Sequence, residues 1–188
     1  MKEIATYFDK NKICLTGENV KKSQTKLGSY VNSYQTIPDS VDLSKVIYEV
    51  EYHDNGLKEG TSGGLFWGIS HIYPGTVGDE FHMTKGHIHQ KRETGEYYWG
   101  LQGEGLLLLV FEDGSYELEN VAEGSLHYIP GNTSHRLINS GTKKLSVGAC
   151  WLTESGHDYK ACHFPIRVVK NGEKDVEIIN CTTKNYDR

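Results

Sequence analysis

The alternation of apolar and polar side chains along this chain becomes regular at Val46. Val46–Tyr52 alternates with a period of two, which is typical of a half-buried β-strand. Leu65–Tyr73 is a second apolar segment, and Pro74-Gly75 follows it. Because Pro-Gly pairs mark turns, these two segments predict strands that begin a β-structure.

Similar short segments follow at close spacing, separated by turn residues such as Glu112-Asp113-Gly114 and Pro130-Gly131-Asn132. About ten short strands with such regular turns are typical of a double-sheet jelly roll or barrel. The predicted fold class is therefore all-β. The further predicted strands are Glu80–Thr84, the segment around His87-Ile88-His89, Tyr97–Leu101, Leu106–Phe111, Ser115–Leu118, Leu126–Ile129, Leu137–Asn139, Leu145–Leu152, Ile166–Val169 and Val176–Ile179.

Residues 1–45 carry many Lys, Ser and Asn and only short apolar segments. We expect them to form an N-terminal extension that wraps the domain, with one or two helical turns over Pro38–Lys45. Neither a repeat nor a linker marks a second domain, and 188 residues suit one domain. We therefore expect a single domain over residues 1–188.

Composition excludes two classes of partner. The formal net charge is −5 and the pI is near 6.0, so the broad basic surface of a nucleic-acid-binding protein is absent. No segment approaches the roughly 20 apolar residues that span a bilayer, and Met1–Lys10 lacks the apolar core of a signal peptide. The four cysteines form no C-x-x-C pair, as expected for reduced thiols. We expect a cytoplasmic protein that binds neither nucleic acid nor membrane.

One stretch concentrates residues that bind metals. In a strand, His87 and His89 point to the same side, and after a polar connection Glu96 can return on a neighbouring strand with Tyr98 on its face. A later segment brings His135. Three imidazoles and one carboxylate suit a divalent transition metal and leave coordination positions open. The pattern predicts a catalytic metal site rather than a sealed structural one.

These residues resemble the two cupin motifs. The pattern His87-x-His89, Glu96, Gly103 is similar to the first motif, although the connection to Glu96 is longer than usual and Phe81 stands where Gly is common. The second motif is matched by Gly124, Pro130, His135 and Asn139.

The longer connection and three further segments resemble the cupin-type glucose-6-phosphate isomerases of archaea and some bacteria over roughly residues 46–160. The segments are Tyr73-Pro74-Gly75, Thr84-Lys85-Gly86-His87 and Gly156-His157-Asp158-Tyr159. The resemblance implies a cupin double-stranded β-helix with an N-terminal extension, core motifs at 46–160, and a cytosolic homodimer. It implies an enzyme that interconverts glucose 6-phosphate and fructose 6-phosphate with one divalent metal ion per subunit. The expected ion is Fe²⁺, with Mn²⁺, Ni²⁺ or Zn²⁺ as alternatives.

The same resemblance assigns roles to particular residues. His87, His89, Glu96 and His135 would hold the metal, and Tyr98 would lie beside the reacting carbons. Trp151 departs from the archaeal members, which have a phosphate-contacting Tyr there. The substrate-binding candidates are Tyr48, Ser70, Thr84, Lys85, Gly86, Trp151 and Tyr159, and the catalytic candidates are Glu96, Tyr98 and His157.

The residues near the ligands also favour phosphate binding on their own chemistry. Thr84 offers a hydroxyl, and Gly86 permits close backbone approach of a dianion. The remaining histidines have no ligand spacing and are expected to be structural or to lie on the surface. They are His53, His71, His82, His127 and His163.

Two mechanisms and two other functions remain open from the sequence. Glu96 as a base would give an enediol, whereas a direct hydride shift needs no base; His157 is a candidate for ring opening. Another cupin metalloenzyme, a dioxygenase or sugar epimerase, or a sugar-binding cupin without catalysis would use the same ligands.

Overall fold

The computed structural model describes residues 5–172 and 175–181. Within these residues it is almost entirely β, with fifteen strands and two short 3-10 helices at Leu27–Ser29 and Val31–Ser33. The predicted all-β class is confirmed. The strands are β1 Thr6–Asp9, β2 Cys14–Gly17, β3 Val20–Lys26, β4 Val46–His53, β5 Leu65–Ile72, β6 Thr76–Val77, β7 Glu80–Phe81, β8 Glu96–Gln102, β9 Gly105–Val110, β10 Tyr116–Val121, β11 Leu126–Ile129, β12 Ser134–Ile138, β13 Leu145–Leu152, β14 Ile166–Asn171 and β15 Asp175–Asn180.

The strands form two layers. One layer is a six-stranded antiparallel sheet in the order β11-β8-β13-β5-β4-β3. The second combines the sheets β15-β14-β7-β6 and β10-β9-β12, because Met83, just after β7, forms a bridge with Ile138 of β12. Buried side chains from both layers, such as Ile72, Val147 and Leu107, pack in one core cluster. Two sheets around one core are the jelly-roll arrangement of a cupin barrel.

Strand β8 shows how the alternating sequence pattern places the predicted site residues on one face. Its side chains alternate between buried and exposed, with Glu96 and Tyr98 buried and Tyr97 and Trp99 exposed. This is the period-two pattern of a strand with one solvated face. The buried face carries the chemistry into the barrel.

The N-terminal extension contributes more sheet than expected. Strand β3 pairs along β4 and becomes the edge of the six-stranded sheet, while the β1-β2 hairpin places Leu15 against Ile69 and Leu101. The polar sequence of β3 gives no apolar alternation, since its side chains are mostly exposed. Residues 38–45 contain turns rather than the expected helical turns.

The segment that carries the two predicted histidine ligands is extended but is not a regular strand. His87 forms a single antiparallel bridge with His135, and Ile88 forms one with Asp158. Because the backbone stays extended, the imidazoles of His87 and His89 still lie together, with ring centroids 5.5 Å apart.

No helix in the described part of the chain is long and apolar enough to cross a membrane.

Candidate active site

Four side chains converge inside the barrel. His87, His89, Glu96 and His135 each offer one ligand atom, and these atoms lie within 4.8 Å of one another. The Nε2 atoms of His135 and His89 lie 2.7 Å and 3.3 Å from Oε1 of Glu96. The structure thus brings together all four residues that the sequence predicted as ligands.

Backbone pairing positions these side chains. The amide of His87 donates to the carbonyl of His135 at 3.1 Å, and the amide of His135 donates back at 2.9 Å. Glu96 is the first residue of β8, which lies between β11 and β13 in the six-stranded sheet. The ligands therefore come from both layers of the barrel, and the polar connection 90–95 joins them.

Hydrogen bonds at the far side of two rings set the direction of their lone pairs. Nδ1 of His89 donates to the carbonyl of Thr94 at 2.7 Å, and Nδ1 of His135 donates to the carbonyl of Thr133 at 3.1 Å. A proton on Nδ1 leaves Nε2 as a bare lone pair directed at the cluster. This arrangement is typical of histidines that bind metals.

The inner atoms of the cluster are buried without partners among the described residues. They are Nε2 of His87, His89 and His135 and Oε1 of Glu96. Leaving one buried polar atom unsatisfied costs about 1–3 kcal/mol, and lone pairs of nitrogen and carboxylate oxygen repel when nothing lies between them. One divalent cation would satisfy all four atoms, so the donor set fits a metal ion.

Ionisation favours the same conclusion. Burial raises the pKa of Glu96, but the neighbouring imidazoles, His135 first, outweigh it and hold that pKa well below its ordinary value. Burial lowers the pKa of His87 well below its ordinary value. Burial also lowers the pKa of His89, yet the contact with Glu96 reverses this and leaves it raised. The carboxylate is therefore ionised, and a proton competes with a metal more strongly at His89 than at His87.

A cavity of about 360 Å³ opens from the cluster toward solvent. His157 lies in its wall, with its ring 4.4 Å from that of His87 and stacked on Tyr159 at 6.0 Å. The bridge between Ile88 and Asp158 holds this segment beside the ligands. Burial lowers the pKa of His157, so its imidazole is neutral near pH 7.

Tyr98 lies deeper in the same cavity. Its side chain is buried and its ring is 5.8 Å from that of His135. Burial first, and the Glu96 carboxylate next, raise the pKa of Tyr98 well above its ordinary value. The phenol therefore keeps its proton and can donate it in a hydrogen bond.

Most of the predicted substrate-binding residues line this cavity. The Thr84 hydroxyl accepts a hydrogen bond from the amide of Leu137 at 3.1 Å and keeps its own proton to donate. Lys85 is different, because its ammonium lies 4.7 Å from the centroid of the Tyr159 ring and lines a neighbouring cavity. The predicted residues in the wall are Tyr48, Ser70, Thr84, Gly86, Trp151 and Tyr159.

Gly86 is required for packing as well as for access. Its φ is +74°, and a Cβ there would lie 2.5 Å from Cζ of Phe164. A side chain would therefore be strained and would collide with the ring. The tight turn before His87 depends on glycine.

Trp151 belongs to an aromatic group in the cavity wall. Its ring is 6.0 Å from that of Tyr52 and 5.8 Å from that of Phe66. Both neighbours also line the cavity. The indole therefore gives this part of the wall an apolar aromatic surface with a single N–H donor.

Sequence reasoning missed several residues of the wall. Ser23 and Thr25 come from β3, and Asp54, Leu57 and Glu59 come from the loop after β4. Neither group carries a sequence motif. Strand pairing brings the first group to the cavity, and the contacts of the loop bring the second. The pairing of Thr25 with Tyr48 is the signal that only the structure supplies.

The histidines without ligand spacing lie outside this wall, and three of them contact other groups. Nδ1 of His82 donates to the carbonyl of Tyr73 at 2.9 Å. Nδ1 of His71 lies 2.9 Å from the Ser146 hydroxyl, and Nε2 of His127 lies 2.8 Å from that of Ser125. These contacts hold neighbouring elements together.

The sequence of this chain matches a known family. Residues 20–183 match the family described as glucose-6-phosphate isomerase (GPI). A glucose-6-phosphate isomerase of Sinorhizobium medicae is 36% identical over 133 residues, which are 68% of this chain and 60% of that protein. A glucose-6-phosphate isomerase of Thermococcus litoralis is 35% identical over 146 residues, 76% of this chain and 75% of that protein.

Solved structures with a similar chain path include two enzymes of oxalate chemistry. Oxalate decarboxylase from Bacillus subtilis has a TM-score of 0.46 at 18% identity, covering 59% of this chain and 26% of that chain. Oxalate oxidase in complex with the substrate analogue glycolate has a TM-score of 0.46 at 12% identity, covering 77% of this chain and 57% of that chain.

Proposed function

This chain belongs to the glucose-6-phosphate isomerase family, and from that premise we propose that it interconverts glucose 6-phosphate and fructose 6-phosphate, a reaction of glycolysis and gluconeogenesis. The observation that supports this most is the convergence of four ligand atoms within 4.8 Å at the end of a cavity. Tyr98 and His157 lie beside that convergence. A cavity with ligands, a proton donor and a neutral imidazole provides what an aldose–ketose isomerisation needs.

His87, His89, Glu96 and His135 would hold one divalent ion, and we propose Fe²⁺, with Mn²⁺, Ni²⁺ and Zn²⁺ as alternatives that the same donors accept. When bound, such an ion supplies Lewis-acid chemistry, which polarises a carbonyl and stabilises negative charge on the substrate oxygens. Metal analysis of the purified protein identifies the ion.

The side chains carry the proton transfers. Glu96 is ionised and accepts the proton from C2 of the aldose, and the same carboxylate returns a proton to C1, so that the hydrogen count balances. Tyr98 is protonated in the free enzyme, and its phenol relays a proton between O1 and O2 of the substrate. His157 is neutral, so it accepts the proton of the C1 hydroxyl and returns it to the ring oxygen as the bond between C1 and that oxygen breaks.

The hydroxyl groups in the wall provide the phosphate contacts. Thr84, Ser70, Tyr48 and Tyr159 line one cavity, and hydroxyls donate to phosphate oxygens. The backbone amide of Gly86 adds a donor that no side chain obstructs. Lys85 contributes positive charge from behind Tyr159 rather than from the wall.

A coupled assay of both directions tests this function. We expect glucose 6-phosphate to yield fructose 6-phosphate without oxygen uptake, and chelation to remove the activity. Oxygen consumption with a sugar substrate, or binding of sugar phosphate without any isomerisation, would contradict the proposal. Mannose 6-phosphate in the same assay defines the selectivity at C2.

We also propose that the protein is a cytoplasmic homodimer. Tyr97, Trp99, Leu126 and Tyr128 form an exposed face on β8 and the edge strand β11, with exposed fractions between 47% and 67%. Large apolar side chains grouped in this way are typical of a protein interface. Light scattering should give twice the chain mass of 21.2 kDa, and Trp99→Glu should shift it to the monomer.

A further inference from the structure

The cavity that we assign to a sugar phosphate has an unusual charge distribution. Within the described residues its wall contains neither lysine nor arginine, yet two carboxylates besides Glu96 reach it, those of Asp54 and Glu59. Carboxylates near an anion site oppose binding of the anion. A carboxylate at this position is therefore expected to make a favourable contact with another part of the ligand.

The two carboxylates differ in their partners. Asp54 accepts a hydrogen bond from the amide of Gly56 at 2.8 Å, and its Oδ2 lies 3.7 Å from Nζ of Lys21. Glu59 makes neither a hydrogen bond nor an ion pair with the residues that the structure describes. Asp54 is therefore a structural residue of its turn, whereas the oxygens of Glu59 remain available.

Backbone contacts hold the Glu59 loop at the wall of the cavity. The amide of Gly60 donates to the carbonyl of Thr153 at 2.8 Å, and the amide of Thr153 donates to the carbonyl of Gly64 at 2.9 Å. The hydroxyl of the buried Thr153 also donates to the carbonyl of Thr61. Because Thr153 lies just before the segment with His157, these bonds fasten the Glu59 loop beside it.

The placement of Glu59 relative to the aromatic wall agrees with this tethering. Glu59, His157 and Tyr159 line the same cavity, and the rings of His157 and Tyr159 stack on each other at 6.0 Å. The carboxylate therefore faces the same space as these two rings.

We propose that Glu59 is a substrate-recognition residue whose carboxylate accepts hydrogen bonds from the hydroxyl groups of the sugar. An ionised carboxylate accepts hydrogen bonds and donates none, so it binds polyhydroxyl chains and rejects bare anions. The residue thereby selects a sugar phosphate over inorganic phosphate at a site built of hydroxyl donors. This inference rests on the proposed function, since it takes the sugar phosphate as the ligand.

Binding of two ligands to the metal-loaded protein separates attraction from repulsion. Calorimetry is done with fructose 6-phosphate and with inorganic phosphate on wild type, Glu59→Gln and Glu59→Asp. The control is Glu117→Gln, an exposed carboxylate on β10 outside the cavity. Glu59 is exposed in its loop, so these changes leave the core intact, and circular dichroism verifies the fold.

For Glu59→Gln we expect the Kd of fructose 6-phosphate to rise about tenfold, because charge-assisted hydrogen bonds are replaced by weaker ones. The Kd of inorganic phosphate should fall about threefold, since an exposed repulsive charge is removed. KM should follow the Kd of the sugar phosphate while kcat stays within about twofold. Glu59→Asp keeps the charge, so it should weaken sugar binding without strengthening phosphate binding.

Two outcomes overturn the inference. Unchanged or tighter binding of fructose 6-phosphate by Glu59→Gln would show that Glu59 only repels anions, and parallel weakening of both ligands would show that it only supports the loop. Failure of the proposed function has a different signature, because wild type would then bind these ligands without isomerising the sugar phosphate.

Discussion

In the part of the chain that the structure describes, two groups bring buried histidine against buried glutamate, and they differ in whether their polar atoms are satisfied. In the outer group, Glu51 accepts from the amide of Leu15 at 2.6 Å, faces Lys22 at 2.7 Å and lies 3.5 Å from His71, which also contacts Ser146. In the inner group, the facing atoms of three histidines and Glu96 have no hydrogen-bond partner among the described residues.

This difference separates structure from function better than residue type does. The outer group connects the N-terminal hairpin to the six-stranded sheet, and the polar atoms that make this connection all have partners. The inner group also joins histidine to glutamate, but its Nε2 atoms and Oε1 of Glu96 face only one another. Where several such buried polar atoms converge on one point, a ligand or ion can supply the contacts that the fold leaves unmade.

Glu96→Gln should give the largest effect. The amide retains an oxygen for coordination but cannot accept a proton, so we expect kcat to fall by about a thousandfold with most of the metal still bound. Stopped assays with metal quantified in the same sample measure this. Near-normal turnover in metal-replete Glu96→Gln would exclude Glu96 as the base and favour a hydride shift.

Acid should weaken metal binding at the inner group. The pKa of His89 is raised, so protons begin to compete for its Nε2 at a higher pH than for an ordinary histidine. Below that pKa the affinity for metal should fall about tenfold for each pH unit, because binding must then release a proton. Competition titration with a chelator at several pH values checks this, and His89→Ala should remove most of the affinity and this pH dependence.

Glu51→Gln tests the outer group. The loss of a carboxylate that pairs with Lys22 and His71 should lower the free energy of unfolding by about 2 kcal/mol, without reducing metal content or kcat. Urea denaturation measures the change, and Glu117→Gln serves as the control at an exposed site. A loss of bound metal in folded Glu51→Gln would mean that the two groups are not independent.

Thr25→Val should give the smallest effect. Its hydroxyl lines the cavity and makes no hydrogen bond within the described residues, so its removal should raise KM about threefold through the loss of one contact to substrate. Val is close to Thr in shape and favours strands, which preserves β3. An unchanged KM would limit the role of this strand to structure.

Local pattern was enough to predict the inner group but not the wall around it. The period of two places His87 and His89 together and buries Glu96 and Tyr98 on one face of β8. Thr25 reaches the cavity only because β3 pairs with β4 in the register observed, and a polar edge strand carries no apolar alternation that announces it.

The sequence pattern also could not predict the direction in which a single side chain points. Lys85 precedes the ligands along the chain, yet the left-handed turn at Gly86 separates it from them and its ammonium lies over the Tyr159 ring. Glu59 reaches the cavity only through the bonds between its loop and Thr153. Tertiary contacts between distant segments decide such positions, and no local period encodes them.

Titration of the chelated protein with a divalent metal, followed by activity at each addition, tests the central claim most directly. The unsatisfied inner group predicts one ion per chain, with turnover rising in proportion to occupancy until that single site is filled. Full activity in protein shown to be free of metal, or an ion that binds elsewhere when His87, His89 and His135 are all replaced by alanine, would contradict it.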